Sequence, residues 1–146
     1  MIDISPCERS DYTTLIQIEE STLKRNSSKN ELKILEKQPC HVTWKIKEKK
    51  IIGFVSFFHV KDEIEIIKIC ITESYQRKNY GSILINEIKK LKIKKIFLEV
   101  SVENTNAINF YLKNGFHQIG IRKGYYANKK NPRIDALRLC INFNKN

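Results

Sequence analysis

The stretch from Tyr75 to Phe116 holds the side chains best suited to chemistry. A polar turn, Gln76-Arg77-Lys78-Asn79-Tyr80-Gly81, lies between an apolar strand and a helix. A pyrophosphate is held by several backbone N–H groups converging at a helix N-terminus, and residues that tolerate positive φ let the backbone curl that way. Gly81 tolerates it, Asn79 is the non-glycine type that best accepts left-handed geometry, and Arg77 and Lys78 add positive charge. Any strand-to-helix turn can carry such residues, so the turn alone leaves a plain structural role open. Glu99 follows the apolar run Ile96-Phe97-Leu98. Apolar neighbours disfavour a charged carboxylate, which tunes it toward a base. The alternative is an ordinary ion pair at the strand's exposed end. Tyr111 falls on the apolar face of the next helix, where a tyrosine is ordinarily core with its hydroxyl satisfied. Taken with Glu99, it makes a possible acid/base pair in neighbouring elements.

The elements that must position these residues can be traced from periodicity. Ile2–Ser5 is expected as a first strand, and Ser10 as the N-cap of a helix with Tyr12, Leu15 and Ile16 on one face. Ser28-Lys29-Asn30-Glu31 has the form of a capping box, so a second helix is expected at about Lys29–Lys37, stopped by Pro39. Val42, Trp44 and Ile46 alternate with polar residues, Glu48-Lys49-Lys50 is a turn, and Ile51–Val60 is an apolar strand containing Gly53; together they predict a hairpin. In Ile64–Ile71 the parity changes: Ile64 and Ile66 share one, while Ile67, Ile69 and Ile71 share the other. A β-bulge would produce that slip, and burial on both faces would make parity irrelevant. After Gly81 comes a helix with Leu84, Ile88 and Leu91 in register, then a buried strand at Lys94–Val100. Asn104 caps a further helix whose apolar stripe is Ala107, Ile108, Tyr111 and Leu112, and Gly115 ends it as the C′ residue. Phe116–Ile121 and Ile134–Phe143 are the last strands. The order β-α-α-β-β-β-α-β-α-β-β predicts a mixed α/β domain.

The chain has 146 residues, which suits one domain over 1–146, and 41% of them are hydrophobic. No apolar run is long enough to span a bilayer, and the start of the chain lacks the basic and apolar segments of a signal peptide, so a cytoplasmic protein with no membrane partner is expected. Cys7, Cys40, Cys70 and Cys140 are scattered without a paired motif, and His41, His59 and His117 show no ligand spacing, so no metal is expected. Cys70 lies in an apolar run with no His or Asp placed to activate it, which favours packing over an acyl-carrying nucleophile. The net charge of +11 invites a nucleic-acid reading. Lysine is spread along the chain rather than gathered, and Ile and Asn are abundant, the composition an AT-rich coding sequence gives. A dedicated nucleic-acid surface is therefore not the reading taken, although positive charge near the turn would draw in a polyanion.

The turn is similar to the Gln/Arg-x-x-Gly-x-Gly/Ala pattern of the GNAT acetyltransferases, with Asn79 in place of the first glycine. Val100 to Phe116 resembles that family's Val-x-x-x-Asn-x-x-Ala-Ile-x-Leu-Tyr-x-x-x-Gly-Phe segment. The resemblance extends to the ribosomal-protein-alanine N-acetyltransferases (RimI type) through Asp62-Glu63, Tyr75-Gln76-Arg77, Leu98-Glu99-Val100, Ile121-Arg122-Lys123-Gly124-Tyr125-Tyr126 and Asp135-Ala136. It departs at Ser101, at Ile134, and in lacking a Pro-Trp pair near Leu23–Ser27. The resemblance implies a single GNAT domain with a mixed, mostly antiparallel central sheet flanked by helices, and acetyl-CoA as co-substrate. It implies transfer of acetyl to the N-terminal alanine of a small-subunit ribosomal protein by direct attack of the amine on the thioester. In that frame Glu99 accepts the amine's proton and Tyr111 gives one to the departing sulfur. Ile69, Cys70 and Ile71 pair with the pantetheine arm, and a bulge at Ile67–Ile71 frees an N–H for the thioester oxygen. Arg77, Lys78, Asn79, Tyr80, Gly81 and Ser82 hold the pyrophosphate, and Asn104 touches the cofactor. Tyr125 and Tyr126 either line the acceptor mouth or pack the last strands. Two other functions fit the same features: a GNAT acting on a small amine or a lysine side chain, and a catalytically degenerate basic domain that binds RNA.

Overall fold

Alternating apolar residues lay down most of the strands where periodicity expects them. The computed structural model describes residues 1–23, 34–126 and 134–143. Seven strands are present: β1 (Asp3–Pro6), β2 (His41–Lys47), β3 (Ile51–Val60), β4 (Glu63–Ile71), β5 (Lys95–Ser101), β6 (His117–Tyr126) and β7 (Ile134–Asn142). The helices are α1 (Tyr12–Leu23), α2 (Tyr80–Lys89) and α3 (Thr105–Lys113). The strands form one sheet in the order β1-β2-β3-β4-β5-β7-β6. β4 and β5 pair in parallel; β1–β2, β2–β3, β5–β7 and β6–β7 are antiparallel. This is the mixed, mostly antiparallel α/β sheet expected. Of the second helix expected at Lys29–Lys37, residues 34–36 are helical, and its capping box lies outside the described residues.

The chain forms two compact units, Met1–Val60 with Ile66–Lys92, and Lys61–Glu65 with Ile93–Asn146. In the first, Leu15 and Ile18 of α1 pack with Phe54 of β3 and Cys70 of β4. Burying side chains of this size contributes roughly 1.5–3 kcal/mol each. Trp44 meets Phe57 edge-on, with ring centres 5.1 Å apart. Ser10 does not cap α1. A short 3-10 turn, Arg9–Asp11, precedes the helix, and the Asp11 carboxylate accepts the Glu8 N–H at 2.8 Å. Lys45 donates to the same carboxylate at 2.8 Å, so a contact distant in sequence chose Asp11 for the task.

Burial on both faces, one of the two causes offered for the parity change in β4, does not hold. Burial runs in a single parity through Ile64, Ile66 and Cys70, and Ile67 on the other face is 37% exposed. Lys68 occupies the missing slot on the buried side, where its Nζ donates to Glu19 Oε1 at 2.7 Å. Glu19 is 1% exposed, so α1 carries a carboxylate into the core and β4 carries the ammonium that balances it. Gly53 of β3 faces the end of β4: a Cβ there would stand 2.5 Å from the Cys70 carbonyl oxygen and 2.6 Å from Ile71 Cδ1. The close approach of the two backbones excludes a side chain. Leu84, Ile85 and Ile88 form the buried face of α2, and Leu91 is only half-buried.

In the second unit β5 alternates cleanly. Ile96, Leu98 and Val100 are buried, and Lys95, Phe97, Glu99 and Ser101 are half-buried. Asn104 caps α3 as expected, accepting the Ala107 N–H at 3.2 Å. Gly115, at φ 97°, ends the helix. The Phe116 N–H donates to the Tyr111 carbonyl and the Gly115 N–H to the Leu112 carbonyl, each at 3.1 Å, the paired bonds of a Schellman motif. Leu112 is 48% exposed and leaves the expected stripe. β6 runs on past Ile121 to Tyr126, with irregular register at Gln118/Gly120 and at Arg122/Tyr126. At the second, Gly124 turns to φ 62° and its N–H donates to Asp135 Oδ1 at 2.9 Å.

Candidate active site

β4 leads into the polar turn through a short 3-10 segment, Glu73–Tyr75. Gln76 pins the approach, its Nε2 donating to the Ile71 carbonyl at 2.8 Å. Asn79 adopts φ 75°, the left-handed geometry expected of it, and Arg77 adopts φ 61°. Left-handed residues at both positions give the backbone the curled form of an anion-binding nest. α2 starts at Tyr80, and the Asn79 carbonyl accepts the Ile83 N–H at 3.0 Å. The N–H groups of the helix's first turn have no partner one turn back, which suits Gly81 and Ser82 to an anion. Tyr80 donates its hydroxyl to Glu48 Oε2 at 2.6 Å, tying the helix start to the β2–β3 turn, and that bond raises the Tyr80 phenol above its ordinary range. Lys78 lies 5.8 Å from the centre of the Tyr75 ring. Just upstream, Cys70 is 2% exposed and packed with Leu15, Ile18 and Phe54, a core role rather than a nucleophile's; Ile69 and Ile71 are half-buried.

The second unit carries Glu99, Tyr111 and Asn104. Glu99 does not lie among apolar side chains. Leu98 and Val100 point to the other face of β5, and the Glu99 side chain, 22% exposed, meets charge instead. Arg122 Nη1 donates to its two oxygens at 3.2 and 3.4 Å, and Arg138 Nε lies 3.8 Å from Oε1. Strand register accounts for Arg138, which stands directly opposite Glu99 on β7. The same face carries a group that the motifs do not mark. Glu65 of β4 is opposite Phe97 of β5, and its carboxyl is pushed up first by burial and then by the Glu99 charge, against the pull of Arg122 and Arg138. A signal for Glu65 was present, since it is the acid interrupting Ile64 and Ile66. Arg122 also lies 4.2 Å from the centre of the half-exposed Tyr125 ring, linking that aromatic to Glu99.

Tyr111 is 7% exposed, with its ring edge-on to Phe116 at 5.4 Å and to Phe110 at 5.2 Å. The C-terminal cap of α3 fixes its backbone, so the ring sits on a rigid element. The Asn104 side-chain oxygen is committed to the cap, its N–H donates to the Ser101 carbonyl and its carbonyl accepts from the Ile108 N–H, which leaves its amide nitrogen for any ligand. Among the described residues, no three His, Cys, Asp or Glu side chains are grouped to hold a metal ion, and no helix is long and apolar enough to cross a membrane. His41 bonds Ser56 at 2.7 Å inside the first unit, and burial lowers its pKa, with Lys68 adding to the effect.

Residues 4–116 match the model of the acetyltransferase (GNAT) family. A [ribosomal protein bS18]-alanine N-acetyltransferase of Haemophilus influenzae is 30% identical over 149 residues, covering 92% of this chain and 94% of that protein. The crystal structure of the ribosomal-protein-S18-alanine N-acetyltransferase from Escherichia coli superposes with a TM-score of 0.85 at 25% identity, covering all of this chain and 96% of the other. Arabidopsis thaliana NAA60, solved with a bisubstrate analogue, shares the fold at a TM-score of 0.81 and 18% identity, over 100% of both chains.

Proposed function

This chain belongs to the acetyltransferase (GNAT) family, and on that premise we propose that it is an acetyl-CoA-dependent N-terminal acetyltransferase acting on the alanine that begins a small-subunit ribosomal protein. The observation that carries this reading is the likeness to a bS18-alanine N-acetyltransferase along nearly the whole chain. Residues 1–146 act as one catalytic domain, in the cytoplasm where ribosomal proteins are made.

The division of labour follows from the side chains. Arg77, Lys78, Asn79, Tyr80, Gly81 and Ser82 hold the pyrophosphate of acetyl-CoA through backbone N–H groups and positive charge. The backbone of Ile69, Cys70 and Ile71 pairs with the pantetheine amides as a further strand would. Asn104 meets the cofactor through its amide nitrogen. The acceptor arrives as an ammonium with a pKa of about 7.7–8.0, and must lose a proton before it can attack. Glu99 takes that proton, with Arg122 and Arg138 fixing the orientation of its oxygens. Tyr111 gives a proton to the sulfur as the C–S bond breaks. Tyr125, braced by Arg122, borders the acceptor peptide.

Mass spectrometry of ribosomal proteins and of an alanine-start peptide, each incubated with the protein and acetyl-CoA, tests the proposal. One acetyl group on the alanine nitrogen is the expected result. Acetyl-CoA binding by calorimetry without peptide acetylation would move the acceptor to a small amine or a lysine side chain. RNA binding with neither would favour a degenerate domain.

A further inference from the structure

β6 and β7 bring together three side chains with metal-binding atoms that the proposed acetyl transfer does not use. His117 opens β6 and stands directly opposite Cys140 of β7, and Asn142 follows two residues later on the same face. Cys140 Sγ is 3.6 Å from His117 Nε2, and Asn142 Nδ2 donates to the same sulfur at 3.6 Å. Cys140 is buried, while His117 and Asn142 are exposed, so solvent reaches the group from their side. An ordinary core cysteine packs against apolar side chains, as Cys70 does with Leu15, Ile18 and Phe54. Cys140 instead has an imidazole and an amide turned onto its sulfur.

The donor types and their spacing select the ligand. A thiolate sulfur and an imidazole nitrogen are the preferred donors of a borderline-soft divalent cation, and an amide oxygen is a weaker third. With zinc–sulfur at about 2.3 Å and zinc–nitrogen or zinc–oxygen at about 2.0–2.2 Å, a sulfur and its neighbour on one tetrahedral ion stand about 3.5–3.7 Å apart. Both separations from Cys140 Sγ fall in that range. A half-turn at the end of Asn142 puts its oxygen where its nitrogen stands. Lys95 is opposite Asn142 in register, and its ammonium lies 5.3 Å from the centre of the Phe97 ring. That charge opposes a cation, and the thiolate formed on binding offsets it.

We propose that Cys140, His117 and Asn142 form a seat for one zinc-class divalent cation, with water in the fourth position. Binding exchanges waters of the ion for the three side chains, and the Cys140 thiol releases its proton to solvent as the sulfur–metal bond forms. No electron is transferred. The filled seat clips the first residue of β6 to β7 just ahead of the irregular register at Gln118/Gly120, on the last strand of the sheet. It fixes that edge of the sheet and does not depend on the acetyl-transfer reading.

The test is titration of the full chain with Co²⁺, a spectroscopic stand-in for zinc. The expected result is a thiolate-to-cobalt charge-transfer band that saturates at one ion per chain, that Zn²⁺ abolishes, and that is absent in Cys140→Ser. Cys40 is the exposed competing thiol, so Cys40→Ser should keep the band. Losing even a group that only supports a metal ligand costs about tenfold to a hundredfold in affinity, so His117→Ala should cost about tenfold or more. His117 is exposed, so this variant keeps the test open if Cys140→Ser fails to fold. Zn²⁺ should also raise the melting temperature of the wild type and not that of His117→Ala. A wild type without the band, a band that survives Cys140→Ser, or a band that Cys40→Ser removes would overturn the seat. Unchanged affinity in His117→Ala would overturn it too, leaving the thiol and imidazole as a plain hydrogen-bonded pair.

Discussion

At the scale of single residues, the chemistry depends on what each side chain faces. Tyr111 is a buried ring on a capped helix. Tyr111→Phe is expected to lower kcat about a hundredfold. Acetyl-CoA affinity by calorimetry should not change, and a matching loss of affinity would mark the tyrosine as structural. Glu99→Gln should depress kcat/KM most at low pH, where more of the amine is protonated; a parallel drop across the whole pH profile would remove Glu99 from proton transfer. Glu65 makes a further prediction in the folded protein alone. Its carboxyl is held above the ordinary range, chiefly by burial, so the fold disfavours its charged form. Stability from such a group is fully present below the unfolded-state pKa and is lost as pH rises through the folded-state value. Glu65→Gln should therefore melt higher than wild type near pH 7.5, with the gap closing toward pH 4, measured by differential scanning fluorimetry. The sequence left Glu99 between apolar surroundings and an ion pair, and the structure gives it the ion pairs. The strand's period predicts which face a residue takes, while the arginines on that face come from β6 and β7, whose register no local pattern states.

Elements show the same division between local and distant causes. The caps of α3 at Asn104 and Gly115 were legible because each is decided within one helical turn. The entry to α1 was misassigned to Ser10 because Asp11 is held by Lys45, 34 residues away. The parity of β4 misled in the same manner, since the partner that buries Lys68 lies 49 residues off in α1. That pair predicts a clear energetic result. Lys68→Met alone takes the Lys68 ammonium away from a buried carboxylate and should cost about 3–5 kcal/mol, whereas Glu19→Leu combined with Lys68→Met should recover most of it. Urea denaturation of the two single variants and the double variant measures the difference, and additive losses would refute the coupling. Gly53→Ala forces a methyl against the Cys70 carbonyl and should cost about 1–3 kcal/mol by the same assay. If Ile69 to Ile71 hold the pantetheine arm, it should weaken acetyl-CoA binding too.

For the whole molecule, an excess of positive charge acts on encounter more than on chemistry. With a net charge of +11 and a polyanionic co-substrate, kcat/KM for acetyl-CoA should fall several-fold between roughly 0.05 and 0.5 M salt, while kcat holds. A salt-independent kcat/KM would mean that the lysines contribute nothing to capture. The four cysteines, scattered in sequence, are sorted by burial. Cys70 and Cys140 are buried, Cys7 is partly covered with its thiol pushed up to about 12 by burial, and Cys40 alone is exposed. Thiolate is the species that reacts with maleimides. The native protein should thus accept a single fluorophore, at Cys40 where β2 begins, and the denatured protein four, as intact mass would report. An unmodified chain already carries a site-specific optical handle on which ligand binding and unfolding could be followed without engineering a cysteine into it.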